Sequence, residues 1–215
     1  MKLHVYEHCP FCVKARMIFG LKKQDFDLSI LLNDDDMTPA SLVGRKVAPI
    51  LETEAMSMAE SMDIVRYVDT LDGKPFLTGA TNPALALWAD GVGDAVYRLA
   101  MPRWAQAPFA EFATLAARAH FKEKKEAALG NFGDLIAMTS ALISQVESSF
   151  DALTVHIQSP NAINGSLSTD DIHVFAMLRS LSIVRGLRYP EAVNAYRQEL
   201  SRLSRVDLHD DIALS

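Results

Sequence analysis

Lys2-Leu3-His4-Val5-Tyr6-Glu7-His8-Cys9-Pro10-Phe11-Cys12 is the stretch that decides how this chain is read. Lys2 to Tyr6 alternates polar and apolar side chains, as a short strand does. Glu7-His8-Cys9-Pro10 follows, and then Phe11 to Phe19, with Val13, Met17 and Ile18 as apolar positions and Gly20 as a stop signal. That segment is expected to be a helix with Pro10 in its first turn, where a missing N–H costs nothing. A Cys-x-x-Cys pair therefore opens the first helix after the first strand.

The chain holds 2 cysteines among 215 residues, both in this motif. A secreted scaffold spreads several cysteines to staple distant segments, and a loop this short gains little entropy from closure. Reactivity explains the pair better. The thiolate is the attacking species, and a sulfur at a helix start meets free backbone N–H groups and the positive end of the dipole. Such settings lower a cysteine pKa from about 8.5 to roughly 3.5–7.5. Lys14 and Arg16 are expected to add positive potential. Cys12, one turn further in, is placed to attack a mixed disulfide on Cys9 and expel the reduced product. Three readings compete. A zinc site needs four ligands, and only His4 and His8 lie near in sequence. An iron–sulfur cluster shared by two chains is open to this class of motif, although clusters usually take Cys₄. Two inert buried thiols are the third.

Outward from the motif, Phe26–Leu32 reads as a second strand, broken by Asn33-Asp34-Asp35-Asp36, and Thr38-Pro39 opens a short helix. Pro49–Thr53 and Ala55–Met58 read as two further strands. A helix follows from about Ser61 to Leu71, with Ile64, Val65, Val68 and Leu71 on one stripe. Residues 1–72 thus form a small α/β unit, and Asp72-Gly73-Lys74-Pro75 opens a linker over 73–81. From 82 to 215 the period is helical throughout. Asn82-Pro83 caps a helix to about Ala100 that Pro102 ends. Leu115–Leu129 stops at Gly130, and Phe132–Ile157 is one long helix with Leu135, Ile136, Leu142, Ile143 and Val146 as its apolar face. Ser168-Thr169-Asp170-Asp171 has the form of a capping box for a helix to Leu181, with Leu167 and Ile172 as its staple. The last helix runs from Pro190 to about Leu203, and the tail from Asp207 carries no signal.

With 21 basic and 27 acidic residues, the net charge of −6 argues against nucleic acid or anionic membrane as main partner. The N-terminus has no apolar leader core, and no run of about 18 apolar residues occurs, so the expectation is a cytosolic protein.

Cys9-Pro10-Phe11-Cys12 after a short N-terminal strand resembles the dithiol glutaredoxins, whose usual motif has Tyr where this chain has Phe11. The helical half resembles the glutathione transferases, including their Asn164-Gly165-…-Ser168-x-x-Asp171-Ile172 capping segment. Together with Arg16-Met17-Ile18-Phe19-Gly20-Leu21-Lys22 and Glu60-Ser61-Met62-Asp63-Ile64-Val65, the chain resembles, over nearly its whole length, the bacterial two-domain glutaredoxins of the glutaredoxin 2 family. The resemblance implies an α/β thioredoxin-like N-terminal domain and an all-α glutathione-transferase-like C-terminal domain. It implies a monomer with glutathione as reducing co-substrate and no metal, acting on glutathionylated or disulfide-containing proteins. Cys9 takes the place of the nucleophile and Cys12 of the resolving thiol. Pro49 falls where the family has a cis proline facing the dithiol. Ala48, where many members carry Val, pairs its backbone with the glutathione cysteinyl amide, and Glu60-Ser61 matches the acidic-Ser pair that holds the γ-glutamyl end. Pro10 and Phe11 join these as glutathione contacts.

Each also has a plainer reading. Trans is the default for any X–Pro bond, with only about 5–6% cis in folded proteins. Ser61 reads as an N-cap. Arg45 and Lys46 suit either the glycyl carboxylate or a solvated surface, and His8 suits either tuning of Cys9 or the plainer role of an exposed loop residue. Arg98 and Arg103 are weaker candidates for the cleft, and Trp88 and Trp104 are core residues. A transferase or dehydroascorbate reductase activity is the nearest rival function, with a non-enzymatic redox-gated binding protein behind it. Two sulfurs, rather than one Cys or a Ser or Tyr, favour the oxidoreductase.

Overall fold

A computed structural model describes residues 1–215. The first half lays down β1 (Lys2–Val5), α1 (Pro10–Leu21), β2 (Asp27–Ile30), α2 (Met37–Val43), β3 (Ile50–Glu52), β4 (Ser57–Ala59) and α3 (Ser61–Thr70). The strands form one sheet in the order β2-β1-β3-β4, with β1 parallel to β2 and antiparallel to β3. A parallel pair needs a crossover, and α1 supplies it. β1 is covered on both faces, so its alternation does not mark a wet side. Leu3 and Val5 are buried, and so is His4, whose Nε2 lies 2.8 Å from the Glu52 carboxylate on β3. Ile64, Val65 and Val68 of α3 are buried as expected, while Leu71, just past the helix end, is exposed.

The second half is α4 (Pro83–Trp104), α5 (Leu115–Leu129), α6 (Phe132–Ala137), α7 (Thr139–Thr154), α8 (Thr169–Leu181) and α9 (Glu191–Ser204), with short 3₁₀ turns at Ala110–Phe112 and Asp210–Ile212. The local start signals hold. Asn82 accepts from the Ala84 N–H with Pro83 in the first turn, and Ser168 and Asp171 form the capping box of α8. Asp171 also accepts from the Ile163 N–H at 2.7 Å and the Tyr196 hydroxyl at 2.9 Å, so one buried carboxylate ties α8 to α9 and the preceding loop.

Two stop signals mislead, and one helix break carries no signal. α4 runs through Pro102 to Trp104, because Met101, Pro102, Arg103 and Trp104 are all buried. Packing there outweighs the lost helical hydrogen bond. The expected helix from Phe132 to Ile157 breaks at Met138, where Thr139 Oγ1 accepts from buried Arg103 at 2.9 Å. Gly20 lies inside α1 rather than ending it, and a β-carbon there would fall 1.7 Å from the Ser204 carbonyl oxygen of α9. Gly20 is present for that close approach.

One continuous apolar core takes in both halves, from Leu3, Ile18 and Phe19 to Phe175, Tyr196 and Val206. The tail closes it. Leu214 N–H donates to Ile183 at 2.8 Å, and its carbonyl accepts from Arg103 Nε at 3.0 Å and from Arg185 N–H at 2.9 Å.

Candidate active site

Cys9 is the N-cap of α1, in extended backbone, with Pro10 in the first turn. Its side chain is half-buried, and Cys12, one turn on, is fully buried. Both are free thiols. The Cys9 pKa is lowered to about 6, first by a hydrogen bond from the Cys12 thiol. The charge on His8 and the backbone N–H groups of Cys12 and Phe11 add to this, against the effect of burial. The free N–H groups of the helix start thus act as expected. Arg16 does not. Its guanidinium is held by Glu7 at 2.9 Å, and the side-chain charge that favours the Cys9 thiolate is that of His8. Lys14 stands over the half-exposed Phe11 ring, 4.9 Å from its centroid. The Cys12 pKa is pushed well above that of a free thiol by burial, by the hydrogen bond it gives Cys9 and by the charges of Cys9 and Glu111. The Tyr6 N–H, 3.3 Å from Cys12 Sγ, works in the opposite direction.

Cys9 opens onto a cavity of about 170 Å³ lined on the sheet side by Tyr6, His8, Lys46 and Ala48, and on the α5 side by His120, Lys124 and Lys125. Ala48–Pro49 is a cis peptide bond, which places the sequence-expected proline loop against the dithiol cavity. Lys46 bonds Asp36 at 2.5 Å and His120 Nε2 at 3.1 Å. Arg45 turns away and donates to Glu60 Oε1 at 2.5 Å, both side chains being largely exposed. Glu60 is the N-cap of α3 at a φ of 72°, a left-handed conformation rare outside glycine and typical of functional sites. Ser61 is therefore the first helical residue and not the cap, and no side chain caps this helix. The residue is buried, and its hydroxyl stands at a helix N-terminus without a capping duty.

His8 departs furthest from expectation. It is buried, stacked between Tyr6 and Phe112 and flanked by Trp104, Phe109 and Phe121. Its Nδ1 lies 2.7 Å from Glu111 Oε1, which also accepts from the His8 backbone N–H at 3.0 Å. Arg98 and Arg103 lie outside the cavity. The first pairs with Asp94 on the surface and the second is buried among backbone carbonyls. Glu111 and the α5 lysines were missed by sequence reasoning. One signal for Glu111 existed, a lone carboxylate in the apolar run Phe109-Ala110-Glu111-Phe112, since a buried charge requires a partner. No group of three or more His, Cys, Asp or Glu side chains is placed to hold a metal.

A half-buried thiolate at a helix start, a buried thiol behind it and a cis-proline loop across the cavity define a thiol–disulfide oxidoreductase on a glutathione-transferase scaffold. The profile of the glutathione S-transferase N-terminal domain matches residues 3–76, and that of the glutaredoxin 2 C-terminal domain matches residues 84–213. The chain is 47% identical to glutaredoxin 2 of Escherichia coli K12 over 215 residues, the full length of both. It superposes on the crystal structure of glutaredoxin 2 from Salmonella typhimurium in complex with glutathione with a TM-score of 0.98, at 46% identity, covering 99% of this chain and 98% of that one. Yeast Gtt2 shares only the fold, with a TM-score of 0.57 at 20% identity over 99% of this chain and 100% of its own. The chain belongs to the glutaredoxin 2 family and is a glutathione-dependent thiol–disulfide oxidoreductase.

The ionisation of Cys9 is directly measurable. Its alkylation rate and ultraviolet thiolate absorbance are expected to titrate with a midpoint at about pH 6, so that activity falls as pH drops through that value. Cys12→Ala removes the largest stabiliser and should raise the midpoint. A wild-type midpoint above about 8, close to a free thiol, contradicts the assignment.

Proposed function

We propose that the chain reduces glutathione mixed disulfides and, by a second route, protein disulfides, with Cys9 as nucleophile and Cys12 as resolving thiol. The observation that carries this reading is the opposite displacement of the two thiols, Cys9 towards thiolate and Cys12 towards thiol. In the first route the Cys9 thiolate attacks the glutathionyl sulfur of the substrate. The substrate S–S bond breaks, and the substrate leaves as a thiolate that takes a proton from solvent. The thiolate of a second glutathione attacks the Cys9 adduct, forming glutathione disulfide and restoring the Cys9 thiolate. In the second route Cys9 forms a mixed disulfide with the protein, and Cys12 gives up its proton and expels the reduced substrate. The Cys9–Cys12 disulfide left behind is then reduced by two glutathiones.

Glutathione in this reading lies across Pro10 and Phe11, pairs its cysteinyl backbone with Ala48 beside Pro49, and sets its γ-glutamyl end at Glu60 and Ser61. The uncapped start of α3 and the cations of the Cys9 cavity support that orientation. Residues 1–72 carry the thiols and 82–215 the opposite wall, joined through 73–81. The working unit in this reading is the monomer, as the family resemblance implies. The partners are glutathionylated or disulfide-bonded proteins of the reducing cytoplasm, the compartment that suits two free thiols. No helix is long and apolar enough to cross a membrane.

Turnover of a small glutathione mixed disulfide, coupled to glutathione reductase and NADPH, tests the first route, and reduction of a protein disulfide tests the second. Cys9→Ser should abolish both, and Cys12→Ser should keep the first and lose most of the second. An active Cys9→Ser protein, or glutathione found on Cys12 of the wild type, overturns the roles.

Ser61→Ala separates binding from stability. Loss of a hydrogen bond to the charged γ-glutamyl end should raise KM for glutathione by an amount equivalent to about 1.5–3 kcal/mol. Because Ser61 is no cap, Tm should stay near the wild-type value. A lowered Tm with unchanged glutathione kinetics would remove Ser61 from the site.

A further inference from the structure

Glu111 has no exposed surface, and the one ionisable side chain its carboxylate bonds is the His8 imidazole. One oxygen accepts both the backbone N–H and the Nδ1 of His8, while Oε2 has no partner. A buried carboxylate is costly to desolvate, and a buried pair is weak evidence of stability, so its presence beside a reactive thiol needs another reason. The pair is built by distant parts of the chain. His8 belongs to the turn after β1, and Glu111 to the 3₁₀ turn after α4, 103 residues away. The imidazole is enclosed by the rings of Tyr6, Trp104, Phe109, Phe112 and Phe121, whose centroids lie 5.0–6.4 Å from its own. The ring cannot turn over. With Nδ1 committed to Glu111, the opposite edge is the one left for the cavity that His8 and Cys9 both line.

We propose that Glu111 is a positioning residue for the thiol chemistry: it fixes the His8 imidazole beside Cys9, so that the helical half sets the reactivity of a thiol carried by the other half.

Two side chains then act on two thiols. The charge on His8 favours the Cys9 thiolate, and the charge on Glu111 opposes ionisation of Cys12. The pair therefore drives the two apart, keeping the attacking sulfur charged and the resolving sulfur protonated. The other groups around His8 are accounted for. Glu7 on the same turn is taken up by Arg16 and Arg179, and the Tyr6 phenol stays protonated because burial raises its pKa. His209, packed on Phe109, is kept neutral by burial, its pKa lowered to about 2. Lys46 is paired with Asp36 and His120, which leaves Lys124 and Lys125 of α5 as the remaining cations of the cavity.

The test is Glu111→Gln in the full chain, which keeps an oxygen acceptor and removes the charge. The readout is the pH dependence of Cys9 alkylation, and of Cys12 alkylation in a Cys9→Ser background. The Cys9 midpoint should rise and the Cys12 midpoint should fall; a rise of one unit lowers Cys9 reactivity at pH 6 by about fivefold. A lowered Tm with both midpoints unchanged overturns the proposal, because a purely structural glutamate would give that result. Should Glu111→Gln fail to fold, the double variant His8→Gln/Glu111→Gln removes both buried charges, and a wild-type Cys9 midpoint there overturns the proposal equally. The inference rests on Cys9 as nucleophile. An active Cys9→Ser protein would defeat that reading, whereas unchanged midpoints in Glu111→Gln defeat this one alone.

Discussion

The turn between β1 and α1 depends on side chains from the other half of the molecule for its own backbone hydrogen bonds. The Glu7 carbonyl accepts from Arg179 Nη1 at 2.9 Å, and the His8 N–H donates to Glu111 at 3.0 Å. Buried backbone groups without partners are rare because each forfeits a hydrogen bond. Arg179, itself buried, spends its other donors on the Glu7 carboxylate and on the Asp207 carbonyl of the tail. Burial lowers its pKa to about 10, which leaves it fully charged at neutral pH. Breaking a buried pair of this kind costs about 3–5 kcal/mol, so the turn, α8 and the tail form one mechanical unit. The position of Cys9 follows from that unit as much as from α1.

A consequence is that the α/β half does not own its reactive centre. Its sheet and α1 place two sulfurs one helical turn apart, and the start of α1 gives Cys9 the free N–H groups that favour a thiolate. The rest of the environment comes from elsewhere: Glu111 behind His8, Trp104 and Phe121 around it, and the lysines of α5 across the cavity. The close approach of Gly20 to Ser204 and the shared apolar core hold α1 against α9, so these groups keep their distance from the thiols. An asymmetric dithiol results, with the Cys9 pKa lowered and the Cys12 pKa raised.

What was legible in the sequence was local. Cys9 to Cys12, Asn82-Pro83, Leu115–Gly130 and Ser168–Asp171 each specify an element through neighbours within a turn or two, and each element formed where expected. The cis geometry at Pro49 was implied by family resemblance and not by the residues themselves. What misled were residues whose role is set across the fold. Gly20 and Pro102 read as stops because their effect on an isolated helix is to stop it, yet contacts with α9 and the core decide otherwise. His8 read either as a residue tuning Cys9 or as an exposed loop residue, and its burial left no mark because nothing within 100 positions of it announces a partner; Glu111 is 103 residues distant. Ser61 looked like a cap because the left-handed turn at Glu60 leaves no local mark in the sequence.

Native-state hydrogen exchange at the His8 amide tests the cross-half clamp most directly. That N–H is tied to a side chain and belongs to no helix or sheet ladder, so only the packing of the two halves can protect it. The expected result is exchange with the same free energy and denaturant dependence as the buried amides of β1 and α8, through unfolding of the whole molecule. Exchange of the His8 amide by local opening, while α8 stays fully protected, would contradict the dependence of the active-site turn on the helical half.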